Sequence, residues 1–193
     1  MRLPYVPDPP PTTTEQDAAI VSRIRARRAP RPLQALDLTL LHSPPVADGW
    51  NSFLGAVRTR TSIADDIKEL AISRVAVCNR AWYEWGHHAP LAVKAGVSEA
   101  VMEVAKRQEP LSREERPEGV SDKEWAVLVY TDEMTRKVEV ADETFALVRG
   151  LFNDQEVVEI TATVGAIPFP LQMILIWLRV LRLIPPRSLA TTA

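Results

Sequence analysis

Cysteine is nearly missing from this chain: Cys78 stands alone among 193 residues. A lone thiol excludes an intrachain disulfide and a thiolate metal cluster, and it suits a reducing compartment. A cytoplasmic location is therefore expected. Glycine is also scarce, seven in all, and none is arranged as a phosphate-cradling loop. No H-E-x-x-H or C-x-x-C spacing occurs, so no metal site and no cofactor are expected. Charge of one sign is lacking too. The formal net charge is −2, which gives no global field toward nucleic acid or an anionic membrane. The basic stretch from Arg23 to Arg31 reads as a solvated helix end. The N-terminus shows no basic-then-apolar leader pattern.

Long apolar runs are limited to one. Residues 160–178 carry no formal charge and approach the length of a bilayer span. Thr161, Thr163, Gln172, Pro168 and Pro170 interrupt that run, with Glu156 and Glu159 just upstream. A buried or subunit-facing helix is the better reading, and no membrane association is expected.

Apolar residues make up 46% and charged residues 25% of the chain, the balance of a globular domain. No period-2 alternation marks a strand, and no 20–50-residue repeat is found. The fold reads as all-α, a single domain over 12–185 with about eight helices. Before it, residues 1–11 form a proline-rich extended arm. After it, residues 186–193 form a frayed tail.

Helix signals punctuate the chain. Thr12 and Glu15 open the first helix, which Pro30 and Pro32 end. Leu33, Leu36, Leu40 and Leu41 mark a short second helix. Pro44 and Pro45 start a third, on which Trp50, Phe53, Leu54 and Val57 share a face. Thr61 or Ser62 is expected to cap a largely buried fourth helix, with Asp65 and Asp66 in its first turn. Asn79 and Arg80 interrupt it. A further helix runs from Ala81 to Lys94, with Gly96 as its C-terminal stop. Ser98, Ser121 with Glu124, Asp142, and Asn153 with Glu156 open the rest. Gly165, Pro168 and Pro170 bend the last helix, and Pro185 and Pro186 end it.

Residues 69–96 concentrate the chemistry. They hold His87, His88, Trp82, Trp85, Cys78, Glu69 and Glu84 in an otherwise apolar context. Glu84 and His88 are four apart, so a helix puts them on one face. A carboxylate beside an imidazole fixes its tautomer and raises its basicity. A buried structural bridge would satisfy the same pattern. His87 points about 100° away, toward solvent or a subunit contact. Glu69 can pair locally with Lys68 or Arg74. It approaches His88 if the chain folds back near Asn79. Cys78 reads as a buried, inert thiol.

The run E-L-A-I from Glu69, Y-E-W-x-x-H from Tyr83 to His88, and A-x-x-A-G-V-S from Ala92 resembles the carboxymuconolactone decarboxylase-like superfamily, which includes alkylhydroperoxidase D-like proteins. The resemblance is good over residues 45–110 and loose over the final helices. It implies an all-α bundle of the alkylhydroperoxidase D-like type and a homo-oligomer, a dimer, trimer or hexamer. The peroxidase branch carries a C-x-x-C pair. Here Ala81 and Glu84 stand in those two positions, so the thiol mechanism lacks its residues. The decarboxylase branch carries a glutamate four residues before a histidine, as Glu84 and His88 do. By that resemblance His88 is a proton donor or shuttle for a small cyclic or unsaturated carboxylic acid. Glu84 orients it, Glu69 completes the catalytic set, and Tyr83, Trp85 and Trp50 shape an apolar pocket. The alternatives are an oxidoreductase using Cys78 with an external thiol, and a non-catalytic oligomeric binding protein.

Overall fold

The computed structural model describes residues 4–167. The expected bend at Pro168 and Pro170, the end at Pro185 and Pro186, and the tail 186–193 lie outside them. Among the described residues there are nine helices and no strand: α1 Glu15–Arg28, α2 Ala35–Leu40, α3 Pro44–Thr59, α4 Asp65–Cys78, α5 Trp82–Lys94, α6 Glu99–Ala105, α7 Asp122–Lys137, α8 Asp142–Leu151 and α9 Asp154–Ala166. No helix among them is long and apolar enough to cross a membrane. The described residues gather into two compact units, with the division inside α3 between Ser52 and Phe53.

The first unit is built on α1, α2 and the first half of α3. Ile20, Val21, Ile24, Leu33, Leu40, Leu41 and Ala47 form its core, and Trp50 packs against them. The proline-rich arm is tied down. The Val6 N–H donates to the Leu38 carbonyl at 3.3 Å, Asp8 pairs with Arg25, and His42 Nε2 meets the Pro4 carbonyl at 2.7 Å. The arginines of α1 do more than solvate a helix end. Arg23 grips Asp48 through two bonds of 3.1 and 2.7 Å. Arg28 grips the buried Asp37 through two of 2.8 Å, and Arg27 bonds Asn51. Side chains from α1 thus cross-link the arm, α2 and α3, because the planar guanidinium matches a carboxylate bidentately. The first helix is capped by Thr14, whose Oγ1 accepts from the Asp17 N–H at 3.1 Å, two residues later than Thr12.

The second unit is organised around α4. Every residue from Ile67 to Val77 is buried, so this stretch of the helix has no solvent face. It packs on α5, α6, α7 and α9. One side joins Ile67, Ala71, Ile72 and Val75 to Val127, Ile160 and Val164. Leu70 joins Ala92, Val101, Trp125 and Leu128 on another. Leu70, Ile72 and Val75 are wholly buried, and each contributes about 1.5–3 kcal/mol on transfer from water.

The fold-back from α4 to α5 positions the site. Arg80 adopts φ 55°, the left-handed region where glycine is usual. The Ala81 N–H reaches the Ala76 carbonyl at 2.8 Å and the Arg80 N–H reaches that of Val77 at 3.0 Å. These paired bonds close the helix as a Schellman motif. The same motif ends α5, where Gly96 has φ 114° and the Val97 N–H reaches the Ala92 carbonyl at 3.0 Å. The start of α4 differs from the sequence expectation. Its N-cap is Ala64, without a side-chain cap. Ser62 and Ile63 instead donate their backbone N–H groups to Glu159 Oε2 of α9, at 2.7 and 3.0 Å. These bonds tie the residues ahead of α4 to α9, and they do not cap the first turn of α4.

Candidate active site

Three helices of the second unit converge on His88. Glu69 lies in the first half of α4, Glu84 and His88 on α5, and Arg58 at the end of α3. His88 and Glu69 are 5% and 7% exposed. A buried carboxylate needs a partner, because desolvation costs several kcal/mol per ion. Glu69 finds it in the ring: its Oε2 lies 2.6 Å from His88 Nδ1. Lys68 is engaged by Asp65 and Arg74 by Asp132, so neither local cation takes Glu69.

The other ring nitrogen meets two groups of opposite sign. Glu84 Oε2 is 3.5 Å from Nε2, the i, i+4 approach that their spacing predicts. Arg58 Nη1 is 3.4 Å from the same atom, and its Nη2 is 3.5 Å from Glu69 Oε1. Glu84 favours a proton on Nε2, and Arg58, a donor, favours a lone pair there. Burial pushes the His88 pKa down, but the hydrogen bonds to Glu69 and Glu84 outweigh it. Arg58 opposes them, and the net displacement is upward from 6.5. The arrangement is an imidazole locked at Nδ1 by one carboxylate and able to gain or lose a proton at Nε2.

The structure thus brings Glu69, Glu84 and His88 together, as the sequence expected if the chain folded back. The aromatic residues are dispersed. Trp85 packs against the cluster around Leu70 and Leu128. Tyr83 is 67% exposed and lies against His87, with ring centroids 4.3 Å apart. The His87 Nδ1 also meets the Tyr83 carbonyl at 2.8 Å. Trp50 packs on the core of the first unit. Sequence reasoning missed Arg58. A signal existed: Arg58 is four residues after Leu54 on the apolar face of α3, and a cation on such a face invites a search for its acid.

Cys78 belongs to a separate buried network. Its Sγ donates to Asp132 Oδ1 at 3.3 Å. Burial is the main reason its thiol is pushed up to about 12, and the adjacent Asp132 adds to it, although Arg74 opposes both. Arg74 is fully buried. It pairs with Asp132, donates to the carbonyls of Ala105 and Glu109 at 3.0 Å each, and also bonds that of Arg107. Asp132 accepts further from Arg136 Nε at 3.0 Å and the Leu111 N–H at 3.1 Å. This network fastens the 106–111 segment to α4 and α7. Among the described residues no group of three or more His, Cys, Asp and Glu side chains is placed to hold a metal. A cleft of about 310 Å³ between the N-terminal ends of α4 and α7, lined by Asp66, Lys123, Glu124 and Phe152 among others, contains none of the His88 cluster.

Residues 44–112 match the model of the Carboxymuconolactone decarboxylase family. That segment carries Arg58, Glu69, Glu84 and His88 together. The match covers 69 of the 193 residues, and together with the all-helical fold of the described residues it supports a likeness to the carboxymuconolactone decarboxylase-like superfamily over that segment. The chain's single cysteine means that it has no C-x-x-C pair. No curated protein matches the chain.

Proposed function

We propose that this protein is an acid–base enzyme that works without metal or organic cofactor on a small cyclic or unsaturated carboxylic acid, by decarboxylation or related lyase or isomerase chemistry. The observation that carries the reading is the 2.6 Å bond from Glu69 to His88 Nδ1. It fixes the imidazole so that Nε2 is the working nitrogen. In a decarboxylation the bond from the carboxylate carbon to its neighbour breaks. Carbon dioxide leaves, and the electron pair remains as a dienolate. His88 Nε2–H delivers a proton to carbon, and water restores it. In an isomerisation Nε2 removes a proton from one carbon and returns it to another. Glu84 stabilises the imidazolium form in both.

A homo-oligomer, whether dimer, trimer or hexamer, and a cytoplasmic setting belong to the same proposal. So do Trp85 and Tyr83 as surroundings of the substrate. Thiol chemistry is disfavoured by the high pKa of Cys78. The test is a panel of lactone acids and unsaturated carboxylic acids, followed by carbon dioxide release and by product isomer analysis in chelator-treated buffer. His88→Ala should lose turnover by about 10²- to 10⁴-fold with its helical circular dichroism intact. Undiminished turnover in that variant overturns the assignment.

A further inference from the structure

We infer that Arg58 is the anion-recognition residue of the His88 site: a ligand carboxylate draws its guanidinium away from Glu69 and His88, and His88 takes up a proton at Nε2 as this happens. The inference deepens the proposed acid–base function and rests on it for the chemistry, but not for the binding.

The geometry of Arg58 sets it apart from other arginines of the chain. Arg28 and Arg23 hold their carboxylates in two-pronged grips of 2.7–3.1 Å. Arg58 reaches Glu69 at 3.5 Å and His88 at 3.4 Å, the outer edge of hydrogen bonding. Its side chain is 30% exposed, whereas that of Glu69 is 9% exposed. A guanidinium held loosely by a buried acid and open to solvent is ready for a better acceptor. A carboxylate supplies one, with two parallel N–H···O bonds in the plane of the fork.

Proton uptake follows from the charges around the ring. His88 faces Arg58 from α3, Glu69 from α4 and Glu84 from its own helix. The contact of α5 with α6 is apolar, through Ala89, Ala92, Val101 and Met102. With His88 neutral the cluster sums to one negative charge. An incoming carboxylate makes that two, and a proton on His88 restores one. The same ligand removes the donor that competes with Glu84 for Nε2. Both effects raise the proton affinity of the ring, so binding an acid arms the proton donor.

The probe pair is benzoate and its uncharged counterpart benzamide, with acetate and sorbate extending the acid series. Binding is followed by imidazole NMR of His88 and by calorimetry in two buffers of different ionisation enthalpy, above the free-state midpoint of His88. Wild type should bind at least one acid more tightly than benzamide and take up protons on binding. Arg58→Gln should weaken that acid about 10- to 100-fold, leave benzamide unchanged and abolish proton uptake. Arg58→Lys should recover part of the affinity, since it keeps the charge and loses the fork. Equal acid binding by wild type and Arg58→Gln overturns the inference. So does binding without proton uptake, or no response of His88 to any acid at tens of millimolar. Failure here is separable from failure of the proposed function. If His88→Ala abolishes turnover while Arg58→Gln leaves the substrate KM unchanged, the acid–base reading stands and the Arg58 role falls. If His88→Ala keeps full turnover while Arg58→Gln loses acid binding, the reverse holds.

Discussion

Replacing Glu69 with Gln should disturb this protein more than replacing Glu84 with Gln, although both acids approach the same ring. Glu69 is buried and lies 2.6 Å from His88 Nδ1. A hydrogen bond with a charged partner in such a place contributes about 1.5–3 kcal/mol. Glutamine keeps the shape and loses the charge, so Glu69→Gln should cost about that much. Glu84 is more exposed and stands 3.5 Å from Nε2, so Glu84→Gln should cost less than about 1 kcal/mol. The pH dependence gives an independent readout. The folded-state pKa of His88 lies above its ordinary value of 6.5. Folded protein therefore binds the proton more readily than unfolded protein does. The stabilisation from this is fully present below pH 6.5 and is lost as pH rises through the folded pKa. Urea melts of wild type across that window should show stability falling with pH on this account. In Glu69→Gln burial and Arg58 both oppose the imidazolium, so that slope should flatten or reverse. NMR titration of the His88 ring should show its midpoint moving down further in Glu69→Gln than in Glu84→Gln. A larger cost or a larger midpoint shift in Glu84→Gln would refute the reasoning, because the Nδ1 contact would then not be the dominant one.

Two further outcomes follow from the buried network around Asp132. Cys78 has a thiol pushed up to about 12, so at pH 8 only about one thiol in ten thousand is thiolate; alkylation should be slow in native protein and fast in urea, and Cys78→Ser should leave turnover unchanged, with fast native labelling counting against the account. Arg74→Met should cost about 3–5 kcal/mol, because it orphans the carbonyls of Ala105, Arg107 and Glu109 and removes one cation from Asp132; a urea midpoint close to that of wild type would contradict the structural role assigned to it.

Much of this arrangement is legible in local sequence, and the limits have physical causes. The i, i+4 spacing of Glu84 and His88 depends only on a helix being present. The turn between α4 and α5 is signalled by Asn79 and Arg80, although Arg80 takes the left-handed conformation without being glycine. The capping boxes at Ser121 and Asn153 are short-range and appear as expected. Contacts across long separations are not legible in this way. Glu159 takes the Ser62 N–H, just ahead of α4, from 97 residues away. Asp132 takes Arg74 from 58 residues away, which leaves Glu69 for His88. The same blindness hid Arg58, whose partners lie on two other helices. The arginines of α1 read as a solvated end because their acceptors, Asp8, Asp37 and Asp48, are revealed only by the packing of the first unit.

The central claim is that His88 Nε2 carries the proton, and the most direct measurement is deuterium transfer from D₂O to the product carbon. Wild type should place one deuterium with a single stereochemistry. His88→Ala should form product about 10²- to 10⁴-fold more slowly, with the deuterium scrambled between faces. Stereospecific labelling at an undiminished rate in His88→Ala would contradict the account.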